Sequence, residues 1–471
     1  MQGRKIYQEK LFTSFQLSDH IPEGNIFKSI LQEVDFQFIY KLTAPYYGSE
    51  GQTSIDPVVF FKLILFGYLE NISSDRRIIQ NARMRMDVLF FIGYDIDEAL
   101  PWHSTLSRTR KLYGEEVFLE VFKKVLVACI DKGMLSGKRQ AVDSFLMKAN
   151  ASMEKMLRND VLLDAELYTK ELADNEDVIK LKSEMTCSKK GNKTHYSPSD
   201  PESKIATKPG KPYRLNYLGQ VTVDTGSHII THAQAFKADQ RDSQCLEEII
   251  NNTQNNIAEG GLVLHEILAD TNYSSTKTLE TLEKKDIRGY IPNFGGFKPT
   301  REGFEYDKIN DRYICSQGKF LENKGRKKNH SESIQYLSSV KDCKGCSFKE
   351  QCIGKSNQKM ITETLSRPLF LEMDKRIKSQ KGKRMRRLRQ STVEPVIGTI
   401  TEYHSAKKTL TKGLKSASKH LILSAIAYNL KKLIRFNNKT AKTNYLESLK
   451  ALLIDTELFF NKRYNYILFE N

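Results

Sequence analysis

The chain has 471 residues, 39% of them apolar and 28% charged, a balance that excludes a disordered chain and leaves room for two to four modules. Its 74 Lys and Arg against 57 Asp and Glu give a formal charge of +17, which suits a polyanionic partner, because each cation that neutralises a phosphate releases a counterion. No apolar run reaches the length of a bilayer span, since VVFFKLILFGYL is short and broken by Lys62; with no signal-like N-terminus, a cytoplasmic protein without a membrane partner is expected.

Residues 1–135 are predicted to be mostly helical. DPVVFFKLILFGYLENI carries apolar residues behind an Asp56-Pro57 start, SSDRRIIQNARMRM follows behind a capping Ser or Asp, a short helix begins at Ser104, and EEVFLEVFKKVLVACIDKG is amphipathic up to Gly133. Arg76, Arg77, Arg108, Arg110 and Lys111 fall on the polar faces. Short basic helices with small connections fit either a helix-turn-helix-like DNA reader or a plain bundle with a solvated basic face.

From residue 138 the pattern changes. KRQAVDSFLM reads as a strand, 153–183 as a charged helical stretch, and the segment CSKKGNKTHYSPSDPESKIATKPGKP as a loop that orders on a partner. YLGQVTVD and HIITHAQAF flank Thr225-Gly226-Ser227 as a hairpin; helix, strand (HEILAD), helix and strand (IRGYIPN) follow. Such an order predicts a mixed sheet flanked by helices. Asp143 lies on its first strand and Asp270 ends HEILAD, positions that become neighbours in a central sheet, while Glu394 in RQSTVEPVIG falls where a helix should begin.

Each acid alone is as well explained by a cap or a surface charge. Together they form a set that can hold two divalent ions for phosphodiester chemistry, and hard oxygen ligands select Mg2+ or Mn2+. Phosphoryl transfer needs chiefly positioning and charge neutralisation, which carboxylates, metals and flanking cations supply.

These stretches resemble a bacterial insertion-sequence transposase of the DDE class. DPVVFFKLILFGYLENISSDRRI and HSTLSRTRK are similar to its N-terminal DNA-binding region, VDSFLMKANAS and ILADTNYSS to its two Asp motifs, RQSTVEPVIGTI to its Glu motif, and HLILSAIAYNLKKLI to its closing helix. The resemblance implies a ribonuclease H-like α/β catalytic domain behind a helical DNA-binding domain. It implies Asp143, Asp270 and Glu394 as the catalytic metal ligands for Mg2+ or Mn2+, and double-stranded DNA, at the element ends and the target, as partner of a homodimer at the bacterial nucleoid. Relatives carry a Tyr, Arg, Glu, Lys signature; here Arg389 stands five residues before Glu394, Arg386 and Arg387 occupy the Tyr position, and Thr401 stands in place of the Lys. Two other readings fit those departures: a decayed or domesticated DNA-binding protein, and a stand-alone metal-dependent nuclease.

Cys343, Cys346 and Cys352 form C-x2-C-x5-C, and Cys315 lies upstream. Four such thiols can close a tetrahedral structural Zn2+ site, against the alternative of ordinary reduced cysteines in a loop. Cys129 and Cys245 are expected to be core or surface thiols. The run KRIKSQKGKRMRRLRQ beside Glu394, with Arg386, Arg387 and Arg389, is expected to contact phosphate. The expected division is 1–135, a helical DNA-binding domain; 136–294, the first part of the catalytic domain; 295–380, a basic insertion; and 381–471, the Glu helix and C-terminal helices.

Overall fold

A computed structural model describes residues 15–48, 50, 54–158, 191–207, 212–295, 297–327 and 330–438. Most of the charged stretch expected at 153–183 therefore lies outside the described residues.

The N-terminal part is helical: α1 (Ile26–Glu33), α2 (Phe38–Thr43), α3 (Pro57–Leu69), α4 (Asp75–Arg83), α5 (Met86–Ile92), α6 (His103–Leu112) and α7 (Glu115–Asp131). Asp56 starts α3 by accepting from the N–H groups of Val58 and Val59, with Pro57 in the first helical position. Every residue of α3 except Pro57 and Lys62 is buried, so this helix is the centre of the bundle and has no solvent face. The last helix, α7, buries Val117, Phe118, Val121, Phe122, Val125, Leu126 and Cys129, a single stripe at helical spacing.

The chain then enters a six-stranded sheet. Its strands are β1 (Arg139–Lys148), β4 (Lys204–Ala206), β5 (Arg214–Asp224), β6 (Ile230–Lys237), β7 (Glu266–Leu268) and β8 (Arg288–Tyr290), while β2 (Leu157–Arg158) and β3 (His195–Tyr196) pair separately. Across the sheet the order is β6, β5, β1, β7, β8, with the short β4 sharing the outer edge of β5. β5 runs antiparallel to β1 and to β6, whereas β7 and β8 run parallel to β1. That is the order of a ribonuclease H-like sheet. Helices α8 (Asp242–Ala258) and α9 (Thr276–Lys284) connect its later strands.

Between β8 and the last helices lies a second sheet, an antiparallel meander of β9 (Phe304–Asp307), β10 (Arg312–Cys315), β11 (Phe320–Lys327), β12 (His330–Ser338) and β13 (Met360–Thr364), with α10 (Val340–Lys344) and α11 (Lys349–Ile353) before β13. It has a small core of its own: Tyr313, Leu321, Tyr336 and Ile361. Buried Glu363 accepts from Tyr313, Arg301 and Arg367, the last on α12 (Arg367–Lys378), and so ties the meander to the helix that follows.

α13 (Gln380–Tyr403) packs over β1, β5, β7 and β8, and α14 (residues 414–438) closes the fold. The side chain of Asn429 on α14 pairs with both backbone groups of Ile230 on β6, and Lys419 donates to the carbonyls of Arg110 and Tyr113. One apolar core accordingly runs from α1 through the sheet to α14. Among the described residues no helix is long and apolar enough to cross a membrane.

Candidate active site

Asp143 lies in the middle of β1, opposite Val221 of β5. Ala141 pairs with Leu268 across the parallel β1–β7 contact. Asp143 and Asp270 each follow two residues later, so the two acids leave neighbouring strands at one level. Asp270 caps a 3-10 turn, Thr271–Tyr273, accepting from the Asn272 N–H at 2.9 Å and from Asn272 Nδ2 at 3.1 Å. Burial, followed by the negative charge of Asp143, holds the Asp270 carboxyl above its ordinary range, although the Asn272 amide and Arg389 pull it down.

Glu394 is brought to the same place by α13, in the second half of the helix and not at its start as expected. Pro395 follows it inside the helix. Its missing N–H leaves the carbonyl of Ser391 without a helical partner, and because Ser391 is exposed, water can satisfy that carbonyl and the helix continues. Arg389 joins the outer two acids: Nη1 donates to Asp143 Oδ2 at 2.7 Å and Nη2 to Glu394 Oε1 at 3.0 Å. The guanidinium is 11% exposed, Asp143 17% and Glu394 53%, so the cluster is shielded at the sheet and open to solvent along α13.

Among the described residues no three His, Cys, Asp or Glu side chains already form a cage for a metal ion; the first and third acids are held on a guanidinium instead. The donors nevertheless suit a hard divalent cation. Asp143 and Glu394 share a single Arg, and burial, followed by the negative charge of Asp143, raises the nearby Asp270 carboxyl, where a cation would offset the like charges.

Behind the acids lies a buried relay with no signature in the sequence. Gln220, fully buried on β5 next to the partner of Asp143, donates to Asp242 Oδ1 at 2.7 Å and accepts from the Tyr273 hydroxyl. It thereby fixes the turn that carries Asp270 to the start of α8. Asp242 adds to the negative field at Asp270.

Of the residues expected to meet DNA, Arg76 and Arg77 on α4 and Arg108 and Lys111 on α6 are exposed, as are Arg386 and Arg387 on α13. Arg110 is a correction. It is 7% exposed and donates both ends of its guanidinium to Asp75, so it fastens α6 to α4 and presents no charge to a partner. Thr401, at the position of the expected Lys, turns its hydroxyl back to the carbonyls of Ile397 and Gly398 in its own helix. The single tryptophan, Trp102, stands 71% exposed at the N-cap of α6.

Cys315, Cys343, Cys346 and Cys352 line one cavity of about 40 Å³ at the edge of the meander, together with Phe304, Leu321 and Ile353. Cys315 ends β10 in a tight turn, Cys343 lies on α10, Cys346 in the connection that follows it, and Cys352 on α11. Cys343 also shares a hydrogen bond with Ser338 at 3.0 Å. Cys129 and Cys245 are buried elsewhere, and burial pushes both thiols up to about 12.

Two family models match the chain: "Transposase domain (DUF772)" over residues 15–112 and "Transposase DDE domain" over 314–434. The first spans α1–α6; the second runs from β10 through Glu394 into α14, so Asp143 and Asp270 fall between the two matches. No curated protein matches the chain. Solved structures that align with it include a piggyBac transposase synaptic complex with hairpin DNA (11% identity, TM-score 0.31, 89% of this chain and 75% of the other). A Mos1 transposase paired-end complex also aligns (8% identity, TM-score 0.17, 56% of this chain and 67% of the other). The strand order, not these alignments, carries the fold. The chain thus carries a match to a transposase domain over its N-terminal helices and to a transposase DDE domain over its C-terminal part, and in both it is similar to transposases.

Proposed function

We propose that the chain is a DNA transposase that binds the ends of its own element, cuts there and joins those ends to a target. The observation that carries this reading is that Asp143 on β1 and Glu394 on the helix laid over it meet on one guanidinium, with Asp270, just past the end of the neighbouring parallel strand, close enough for its carboxyl to feel both Asp143 and Arg389. When bound by the three carboxylates, Mg2+ or Mn2+ supplies activation of an attacking oxygen and stabilisation of a leaving oxygen. The residues of the chain supply the rest. Asp143 and Asp270 fix the acid pair on the sheet, the Gln220 relay keeps the Asp270 turn in place, and exposed Arg386 and Arg387 offer cations to the phosphates nearby, whereas Arg389, expected to do the same, is buried on Asp143 and Glu394. Arg76, Arg77, Arg108 and Lys111 form the exposed basic face for end DNA, and a homodimer would bring two ends together at the nucleoid.

The test uses full-length protein, Mg2+ and a duplex carrying the inverted repeats that flank the coding region. Site-specific nicking at the repeat followed by joining supports the proposal. Binding without nicking would favour a DNA-binding protein that has lost turnover, and nicking without joining a metal-dependent nuclease.

A structural metal belongs to the same reading. The four thiols around the meander cavity are soft donors of the kind that select Zn2+, and they sit on a strand end, two short helices and a connection beside a core of only four buried apolar residues. We place Zn2+ there as a local staple and assign it no part in the chemistry.

A further inference from the structure

We propose that Arg389 is an exchangeable counterion that couples metal loading to DNA binding. The inference rests on the three-acid reading above and concerns what stands in for positive charge before metal and DNA arrive. Arg389 is nearly buried, and a charge in that position is tolerated only when paired. Its two ends donate to Asp143 Oδ2 and Glu394 Oε1, and a cation brought onto the same carboxylates would meet the repulsion of the guanidinium. A divalent ion that takes up the two oxygens now bonded to Arg389 displaces the guanidinium, and a displaced guanidinium needs a new anion.

DNA offers one. Arg389 lies on the same helix as exposed Arg386 and Arg387, and the cluster opens to solvent on the Glu394 side, where a phosphate would approach. A planar guanidinium pairs with a phosphate as readily as with a carboxylate, so the exchange costs no hydrogen bond. In the free protein Asp143 and Glu394 are paired with Arg389 and hold metal weakly. On DNA, Arg389 passes to a phosphate and the acids are released to the metal. By linkage the two ligands strengthen each other, and the chain would keep an idle site from loading metal away from its substrate.

The experiment is a Mn2+ titration of full-length protein, with free Mn2+ read by electron paramagnetic resonance, with and without a short DNA duplex. Wild type, Arg389→Gln, Arg389→Lys and Asp143→Asn are compared after circular dichroism has shown that each is folded. Without DNA, Arg389→Gln should bind Mn2+ about tenfold more tightly than wild type; DNA should tighten wild type by a similar factor and leave Arg389→Gln nearly unchanged. Arg389→Lys keeps the charge without the planar fork and should fall between them; it carries the test should the Gln variant fail to fold. Equal Mn2+ affinity in wild type and both Arg389 variants, with binding lost in Asp143→Asn, overturns the coupling and leaves the three-acid site standing. Mn2+ binding that Asp143→Asn leaves untouched overturns the three-acid site itself, and the coupling with it.

Discussion

The hydroxyl of Tyr68, on the most buried helix of the N-terminal bundle, meets Nδ1 of His420 on α14 at 2.5 Å, across 352 residues of sequence. Nε2 of the same ring faces the carbonyl of Ser405 at 2.8 Å. A carbonyl can only accept, so Nε2 carries the proton, Nδ1 accepts from Tyr68, and the ring is held neutral. Burial lowers His420 to about 4, and it does the same to His404, which contacts the Tyr68 carbonyl, and to His232.

Acid sensitivity follows. These rings titrate lower in the folded chain than in the unfolded one. Their contribution is present in full above the ordinary histidine range and is lost as pH falls through the folded value of about 4. The thermal midpoint should therefore decline between roughly pH 6.5 and pH 4. Replacing His420 by Gln should lower the midpoint at neutral pH and flatten that decline, which calorimetry across the pH range measures.

Removing Arg110 should cost stability, while removing Arg76 or Arg77 should cost binding. Arg110→Ala leaves Asp75 unpaired beneath α6, a loss of about 3 kcal/mol in denaturant unfolding. Arg76→Ala with Arg77→Ala should leave the unfolding midpoint within about 0.5 kcal/mol and weaken duplex binding with a shallower salt dependence. A dye-labelled duplex followed by fluorescence anisotropy provides the binding signal.

Asp143→Ala, Asp270→Ala and Glu394→Ala should each reduce Mg2+-dependent cleavage by about a thousandfold or more while leaving DNA binding largely intact, because metal ligands act as a unit. Gel-resolved cleavage of an end-bearing duplex checks this. Full cleavage by Asp270→Ala would remove it from the site.

Purified protein should contain about one zinc per chain that a Mg2+ wash does not remove. Elemental analysis is the measurement, and the paired replacement Cys343→Ser, Cys346→Ser should empty the site and lower local stability in the meander. Unchanged zinc content in that variant would leave these residues as plain thiols.

What could be seen in the sequence follows the reach of each signal. The hairpin at Thr225-Gly226-Ser227 and the alternation of later strands and helices depend on neighbours in the chain, and β5, β6, α8, β7, α9 and β8 stand where they were expected. The meander escaped because strands such as FLENKGRK are polar and bury only four apolar residues among them. Arg110 could not be told from Arg108, since what buries it is Asp75, 35 residues earlier. Glu394 was expected where a helix begins, yet it lies in the second half of α13, which carries Pro395 inside it four residues after the exposed Ser391. The Gln220 relay unites residues from β5, α8 and the Asp270 turn, none of which is unusual alone.

Arg389 and Asp143 touch across 246 residues of sequence. A ribosome making this chain releases the residues of both sheets before those of α13 and α14, so Asp143 and Asp270 emerge long before Glu394. Any product that stops before residue 394, whether by a frameshift, a premature stop codon or a proteolytic nick, lacks not only the third acid but also α14, the helix that meets Tyr68 and completes the common core, so it should neither assemble the acid cluster nor keep the N-terminal helices firmly packed.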